Sequence, residues 1–202
     1  QRALILRSGN SIDEHAIFIE NSNVTIANLK IINWGNDLTE ENSGIYSKRK
    51  TENITIRDND LSGDGFGILI NKVSHSKVIG NKVQGNTKLR SADRGNGIQI
   101  ASVEHSHVYN NETFNVRDGI YVIASKNNII EGNTMHDLRY GIHYMYSYDN
   151  NVLNNSAYNT RAGYAMMSSR RLLIEGNKTR DSEDYGFLFN YITYSTIQKN
   201  HI

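Results

Sequence analysis

The sequence has no cysteine, no proline and only one tryptophan among its 202 residues. Without cysteine, disulfides and metal sites built on thiolates are excluded. Without proline, every backbone position keeps an N–H group that can bond to a neighbouring strand, which favours an extensive sheet. These absences point to a β-structure that is held by backbone hydrogen bonds rather than by cross-links.

Long apolar runs and a strong net charge are missing as well. No stretch approaches the roughly 20 apolar residues of a transmembrane helix, and no signal peptide is recognisable. The formal net charge is only +1, so bulk electrostatics give no reason to expect a nucleic acid partner. Hydrophobic residues make up 38%, which is low for a globule but enough for a solenoid whose units each bury a narrow stripe.

What the sequence contains is a repeat of about 22 residues. One series of glycines follows this period: Gly44, Gly67, Gly97, Gly119, Gly141, Gly163 and Gly186. A series of asparagines follows it with the same irregularities, led by Asn28: Asn59, Asn81, Asn111, Asn133, Asn155, Asn177 and Asn200. Two series with shared irregularities indicate a solenoid. We interpret both as structural, because glycine allows close approach and asparagine side chains bond backbone groups at turns.

Apolar residues alternate after each glycine, which predicts a strand with one buried face. The inward series is Ile45, Ile68, Ile98, Ile120, Ile142, Tyr164 and Phe187. A second short strand precedes each asparagine. We therefore predict an all-β fold, a right-handed single-stranded parallel β-helix with about eight coils ~4.8 Å apart. We expect residues 1–202 to form one such domain, a fragment of a longer chain.

Two insertions break the period, near residues 33–43 and 86–96. Both precede a glycine strand, so we expect them to leave the coil at one corner and to flank a shallow groove. The first carries acidic residues and the second basic ones, which predicts a groove with lips of opposite charge. Loops on a rigid scaffold often carry function, although tolerated surface insertions are the simpler interpretation.

The outward positions of the glycine strands are large or apolar in the later coils. They include Tyr121, Ile123, His143, Met145, Met167 and Leu188. An exposed patch of this kind indicates a partner-binding surface, or a face that another segment covers. Imidazole and thioether groups suit Cu(I), so His143, Met145 and Met167 are candidate ligands of a transient Cu(I) site, with Met135 and His136 on the preceding turn. Simple packing is the alternative.

Three arginines form a further ladder, each two residues before a glycine: Arg117, Arg139 and Arg161. Stacked like charges repel unless they are paired. Asp118, Asp137 and Asp181 could interleave with them and neutralise the ladder. The alternative is that the arginines bind an anionic ligand or partner, because their planar forks suit carboxylates.

Five segments carry motifs that go beyond the repeat, at residues 90–99, 117–121, 137–147, 162–167 and 184–191. The run His143-Tyr144-Met145-Tyr146 is the most specific of them. In these segments the sequence resembles the NosD family, the periplasmic maturation proteins of nitrous oxide reductase. The resemblance spans essentially the whole chain.

The resemblance implies a β-helix of the carbohydrate-binding and sugar-hydrolase type that works in the periplasm, with its leader not present in this chain. It implies an accessory protein rather than an enzyme, which helps to supply copper to nitrous oxide reductase. The implied partners are the reductase, an ABC-type ATPase with its membrane permease, and a lipoprotein copper chaperone.

A polyuronate-active enzyme (a lyase or C5-epimerase) or a carbohydrate-binding module is the main alternative. His143 with Tyr121 and Tyr144 could supply a base and an acid, and the arginines could neutralise a carboxylate. Against it, a chain without proline cannot contain the Asp-Pro-His-Asp motif of alginate epimerases. No carboxylate cluster offers a calcium site either. A purely structural coil stack would explain the repeats but not the concentration of His, Met and Tyr.

Overall fold

The computed structural model describes residues 4–7 and 15–202, so the predicted domain includes residues 1–3 and 8–14 that lie outside the description. Apart from a 3-10 turn at Ser91–Asp93, the described secondary structure is parallel β-strand. No described helix is long and apolar enough to cross a membrane. The strands form a parallel β-solenoid of about seven turns, which confirms the predicted fold class. A right-handed winding stays a prediction that rests on the general preference of parallel crossovers.

Each regular coil contributes a strand to three stacks, one more than predicted. The first, here called the glycine stack, contains the glycine series. Its strands are β2 (Ile17–Ile19), β5 (Ser43–Glu52), β8 (Phe66–Ser74), β11 (Ile98–Ala101), β14 (Asp118–Ile123), and the second halves of β16 (Thr134–Met145), β18 (Ser156–Met167) and β20 (Lys178–Asn190).

The second stack contains the short strands that precede the asparagines. They are β3 (Thr25–Ala27), β6 (Thr55–Arg57), β9 (Lys77–Ile79), β12 (His107–Tyr109), β15 (Ile129–Glu131), β17 (Asn151–Leu153), β19 (Leu173–Glu175) and β21 (Thr196–Gln198). This sheet has eight strands. The predicted number of about eight coils corresponds to these eight strands, and about seven turns of the solenoid connect the first strand to the last.

The third stack follows the asparagines and was not predicted. It contains β1 (Leu4–Arg7), β4 (Leu29–Ile32), β7 (Asp60–Ser62), β10 (Lys82–Gln84), β13 (Glu112–Phe114) and the first halves of β16, β18 and β20. Its early strands have three or four residues. Only one side chain of β7 and one of β10 is buried, Leu61 and Val83. One inward residue cannot produce an alternating pattern, so the sequence carried no signal for this stack.

The predicted register of the glycine stack is confirmed. Ile98, Ile120, Ile142 and Tyr164 are direct partners on successive strands, and all four are fully buried. Phe187 continues the series and packs, partly buried, against the core. Because successive side chains of a strand point to opposite faces of the sheet, the residue that follows each of these lies on the outer face.

The asparagine series is structural, as predicted. The Asn133 side-chain amide donates to Asn155 Oδ1 at 2.9 Å and to the Val108 carbonyl at 3.0 Å. The expected place of Asn28 in the series is wrong, because the Leu29 N–H donates to Asn59 Oδ1 at 3.0 Å and Leu29 holds that position. Asn28 has a φ of 57°, a turn conformation that asparagine tolerates well.

The glycines are structural for a steric reason. A Cβ on Gly119 would lie 2.6 Å from the Gly141 carbonyl oxygen and 2.5 Å from Met135 Cγ. These separations are far inside van der Waals contact, so the coil cannot approach its neighbour with a side chain at this position.

Both insertions leave at the corner between the third stack and the glycine stack, as predicted. The Phe66 N–H donates to the Asn42 carbonyl at 2.8 Å, and the Gly95 N–H donates to the Asp64 carbonyl at 3.0 Å. The two insertions thus pack on either side of the coil that separates them. Trp34 in the first insertion is 5% exposed and anchors it to the core.

Candidate functional site

His143 lies on the outer face of β16 and is covered by aromatic rings. Its ring centroid is 4.7 Å from that of Tyr121, its partner on β14, and 5.2 Å from that of Tyr140. Only 8% of His143 is exposed, and Ala165, the next outward residue in register, is fully buried. The expectation of a continuous exposed patch is therefore wrong at these two positions, because outward side chains here are packed over by their neighbours.

A buried carboxylate fixes the histidine. Asp118 Oδ2 lies 3.0 Å from His143 Nδ1, and both Asp118 oxygens accept hydrogen bonds from Arg139, at 2.8 and 2.7 Å. Burial alone would raise the Asp118 pKa, but the hydrogen bonds from His143 and Arg139 outweigh it and hold the pKa below its usual value. The ionised carboxylate accepts the Nδ1 proton, so in the neutral ring Nε2 carries the free lone pair.

The Nε2 atom of His143 is buried and has no hydrogen-bond partner among the described residues. Buried polar atoms in native proteins are nearly always satisfied, so an exception needs an explanation. A histidine held through Nδ1 by a carboxylate, with Nε2 free, has the arrangement of histidines that bind metals in proteins.

The predicted ligands share one outer face. Met145 follows His143 by two residues on β16, and Met167 is the direct partner of Met145 on β18. The Tyr121 hydroxyl donates to Met145 Sδ at 3.3 Å. Their adjacency is confirmed, whereas a metal role stays a prediction. Ile123 precedes Met145 in register, and Leu188 borders Ala165 on β20.

Two residues near the predicted site are elsewhere. Met135 is fully buried in the core. His136 lies in the third stack, where its ring stacks between Phe114 and Tyr158 at centroid distances of 4.9 and 4.7 Å. Neither residue contributes to the face that carries His143.

A cavity of about 420 Å³ opens beside His143, and we call it the outer cavity. Its lining residues are Leu38, Phe66, Arg94, Asn96, Gln99, Arg117, Asp118, Tyr121, Arg139, His143 and Met145. Leu38 comes from the first insertion, and Arg94 and Asn96 come from the second. The insertions therefore flank a groove, as predicted, and Met167 is not among its lining residues.

The lips of the groove differ from the prediction. The first insertion contributes Leu38 instead of a carboxylate. Asp37 Oδ1 accepts the Thr39 N–H at 2.7 Å within its own turn, and Glu41 accepts the Tyr46 hydroxyl at 2.8 Å. Local hydrogen bonds thus hold these acids away from the cavity, while the basic lip is present in Arg94.

The arginine ladder is in register but unequally paired. Arg139 is held by Asp118, and Arg161 Nε lies 2.6 Å from Asp184 Oδ2. Within the described residues the Arg117 guanidinium has no hydrogen-bond or ion-pair partner. Of the three aspartates that were predicted to lie between the arginines, only Asp118 does so.

The other two aspartates that were expected to interleave bind elsewhere. Asp137 pairs with His136, and Asp181 pairs with Arg180, each at 2.6 Å. Both therefore leave the arginine ladder without the neutralisation that the sequence suggested.

The donor set fits a soft metal ion. The described residues contain no group of three or more His, Cys, Asp or Glu side chains that could hold a metal. An imidazole nitrogen beside a thioether is the chemistry that Cu(I) prefers. Tyr144, considered above as an acid for sugar chemistry, points into the core and is fully buried, which removes it from any surface site.

Comparison with known proteins identifies the family. The model of a family described as "Periplasmic copper-binding protein (NosD)" matches residues 79–202, more than half of the chain. The chain belongs to the NosD family. The matched range includes Asp118, His143, Met145 and Met167, so the NosD resemblance of the sequence is confirmed over the candidate site.

Two relatives described as "Probable ABC transporter binding protein NosD" extend the match. The relative from Pseudomonas aeruginosa is 39% identical over 179 residues, 89% of this chain and 42% of its own length. The relative from Stutzerimonas stutzeri is 40% identical over 187 residues, 93% of this chain and 43% of its own length. The chain thus spans less than half the length of these NosD proteins.

Alginate epimerases are among the solved structures that share the architecture. A variant of the periplasmic alginate epimerase AlgG superposes with a TM-score of 0.64 at 15% identity, over 97% of this chain and 55% of that one. The A-module of the Azotobacter vinelandii mannuronan C-5 epimerase AlgE4 gives a TM-score of 0.50 at 13% identity, over 88% and 61%. Identities this low show the shared fold alone.

Proposed function

We propose that this chain binds Cu(I) in the periplasm at His143 and Met145, with Met167 as a third ligand, and assists copper delivery to nitrous oxide reductase. The observation that supports it most directly is the buried Nε2 atom of His143, which has no partner among the described residues. Asp118 keeps the Nδ1 atom protonated and fixes the ring, so that Nε2 is presented as a ligand.

The thioethers complete a soft and weakly held site. Met145 Sδ already accepts the Tyr121 hydroxyl at 3.3 Å, and this hydroxyl would be displaced or turned when the sulfur binds copper. Met167 lies on the neighbouring strand, and its three flexible side-chain torsions allow its sulfur to reach the same ion. All three ligands are neutral, which suits transfer of the ion better than storage.

The remaining parts of the function come from the family. NosD is described as periplasmic and copper-binding, and the two relatives are described as ABC transporter binding proteins. In this proposal the solenoid docks on an ABC-type ATPase with its permease, receives copper from a lipoprotein chaperone and passes it to the reductase. The protein acts without catalysing a reaction of its own.

An anaerobic titration of the purified chain against a chromophoric Cu(I) chelator tests the metal site. We expect one Cu(I) per chain for the wild type and at least a tenfold loss of affinity for His143→Ala or for Met145→Leu with Met167→Leu. Met166→Leu is the matched control, since Met166 is fully buried beside Met167 and faces the core. Equal affinities for the wild type and the double variant would remove the sulfur atoms from the site.

A polyuronate-active protein is the second candidate, and the arginines that line the outer cavity favour it. The shared fold with alginate epimerases does not add to this argument, because the similarity is confined to architecture. Incubation of the chain with alginate and polygalacturonate, followed by NMR for epimerised or unsaturated products, separates the two candidates. Product formation that depends on His143 would replace the copper proposal.

A further inference from the structure

The outer cavity carries a positive charge that copper binding does not explain. Three guanidinium groups and one carboxylate line it, from Arg94, Arg117, Arg139 and Asp118, so their net charge is +2. Asp118 is occupied by Arg139, which binds both of its oxygens. The surplus charge therefore rests on Arg94 and Arg117. No described carboxylate forms an ion pair with either, although Asp137 and Glu183 line a neighbouring cavity together with both arginines.

Both arginines are held in place by backbone contacts. Most N–H groups of the Arg94 guanidinium are used in this way: Nε and Nη2 donate to the Leu89 carbonyl at 3.0 and 2.7 Å, Nη2 also to the Thr87 carbonyl at 3.5 Å, and Nη1 to the Asn115 carbonyl at 3.1 Å. The Arg117 backbone is fixed between two coils, because its N–H donates to Gly95 at 3.0 Å and its carbonyl accepts the Arg139 N–H at 2.9 Å. One guanidinium thus comes from the second insertion and the other from the ladder, and both line one cavity.

Two guanidinium groups on one cavity wall repel each other unless an anion lies between them. A carboxylate is a good match, because it can accept paired hydrogen bonds from the planar fork of Arg117, while Arg94 adds its charge and its remaining Nη1 hydrogen. Chloride could neutralise the charge but offers no such geometry. The chemistry of the wall therefore favours an oxyanion with two acceptor oxygens on one edge, and we take a carboxylate group as the occupant.

We propose that Arg94 and Arg117 form a carboxylate subsite, and that carboxylate binding and Cu(I) binding strengthen each other. This inference rests on the copper site proposed above. Cu(I) adds a positive charge to a cavity whose side chains already carry +2, so copper binding without an anion is opposed by Coulomb repulsion. A bound carboxylate reduces that repulsion, and the coupling must act equally in both directions.

The coupling makes copper binding depend on whether a carboxylate is bound. Copper that arrives together with a carboxylate is held more tightly than copper that arrives alone, and loss of the carboxylate weakens copper binding. An acidic side chain of a protein that carries copper and a free carboxylate such as a uronate share the chemistry that the subsite recognises.

The test measures Cu(I) affinity by chelator competition at constant ionic strength while sodium acetate replaces sodium perchlorate. We expect acetate to raise the wild-type affinity by about fivefold or more, the lower range of typical couplings between sites. Arg117→Gln should raise the affinity in the absence of acetate and reduce the response to acetate. Arg117→Glu, which supplies the anion itself, should bind Cu(I) most tightly and respond least.

Arg171→Gln is the matched control, because Arg171 is exposed, is paired with Asp149 and does not line the cavity. It should keep the wild-type response to acetate. An identical response in the wild type and in both Arg117 variants would overturn the inference. So would a lower affinity of Arg117→Gln in perchlorate, since that result would make Arg117 a direct aid to copper binding.

Acetate binding to the copper-free protein, followed through the NMR signals of the arginine side chains, separates this inference from the proposed function. Shifts confined to Arg94 and Arg117 would support the subsite even if the chain bound no Cu(I), although the coupling would then be lost. Cu(I) binding with no shift and no response to acetate would leave the copper site standing and remove the subsite. Tighter binding of trigalacturonate or of a glutamate-containing peptide than of acetate would assign the source of the carboxylate.

Discussion

Two buried tyrosines differ in their hydrogen bonding. The Tyr164 hydroxyl donates to the carbonyl oxygens of Asn155 and Lys178, at 2.8 and 3.1 Å, whereas the Tyr144 hydroxyl is buried and has no partner in the described part of the chain. Burial raises the pKa of both phenols well above the usual value, so both stay neutral. An unpaired buried hydroxyl has lost its hydrogen bonds to water without replacing them.

The two Tyr→Phe substitutions should therefore change stability in opposite directions. Tyr144→Phe removes an unsatisfied group, and we expect the free energy of unfolding to rise by up to about 1 kcal/mol. Tyr164→Phe removes the hydroxyl that donates to the Asn155 and Lys178 carbonyls and should lower it by about 1 kcal/mol. Urea denaturation of both variants measures the difference. Equal losses would mean that the Tyr144 hydroxyl is satisfied in solution, by an internal water.

Asp118 should contribute to the free energy of unfolding and to the way in which this free energy depends on pH. Asp118→Asn leaves Arg139 and His143 without a negative partner, and we expect a loss of about 3 kcal/mol, the low end for breaking a buried ion pair, because Arg139 stays partly exposed. The Asp118 pKa is lowered in the fold, so its contribution is present above the ordinary aspartate pKa of about 4. It is lost as the pH falls through the lower folded-state value.

Denaturation curves recorded between neutral and strongly acidic pH check this sign. The gap in stability between the wild type and Asp118→Asn should narrow as the pH falls below the ordinary aspartate pKa of about 4. A gap that still widens below that pH would contradict the lowered pKa.

For single residues, the sequence predicted on which face of the sheet a side chain lies but not which groups surround it. Period-two alternation predicted that His143 and Met145 face outward together, and the register confirms it. The same pattern could not show that His143 is covered, because coverage depends on the rings of Tyr121 and Tyr140. It also could not show that Asp118 reaches His143 from the preceding coil.

Among the elements of the fold, those with long alternation were predictable and short ones were not. The glycine stack has several inward residues per strand, so its register followed from the spacing. The third stack was missed because a strand such as β10 buries one side chain. Asn28 was placed one residue out of register, since a turn asparagine and a ladder asparagine look alike in the sequence.

The asparagine ladder joins the coils through buried hydrogen bonds. Asn133→Ala would remove the amide that serves Val108 and Asn155, and it would leave the buried N–H of Asn111 without its acceptor. Each unsatisfied buried group costs about 1–3 kcal/mol, so we expect a loss of about 3 kcal/mol or more in thermal or urea unfolding. Asn159→Ala is the matched control.

Asn159 is exposed and makes one side-chain hydrogen bond, to Asp137 at 3.3 Å. Asn159 has a φ of 51°, where alanine is strained by about 1–2 kcal/mol, so we expect the control to lose no more than this backbone cost. Similar losses for Asn133→Ala and Asn159→Ala would show that the ladder is not a main source of cohesion between the coils.

For the whole molecule, the repeat predicted the solenoid but not the outer cavity. A regular coil exposes a flat face, whereas the cavity depends on how residues 33–43 and 86–96 fold back over the glycine stack. Their conformations follow from local hydrogen bonds, such as those of Asp37 with its own turn, which have no periodic signal. The site therefore combines strand positions that the repeat predicts with two insertions whose conformation the sequence does not predict.

If the proposed function is correct, copper delivery depends on the two outward sulfur atoms. We expect Met145→Leu with Met167→Leu to fold normally, because leucine nearly keeps the volume of methionine, yet to leave nitrous oxide reductase poor in copper when it replaces the wild-type sequence within the full-length protein in cells. The copper content and activity of the purified reductase are the measurements. Met166→Leu should give a fully loaded reductase, since Met166 faces the core. A fully loaded reductase from the double variant would mean that the sulfur atoms only pack against a partner.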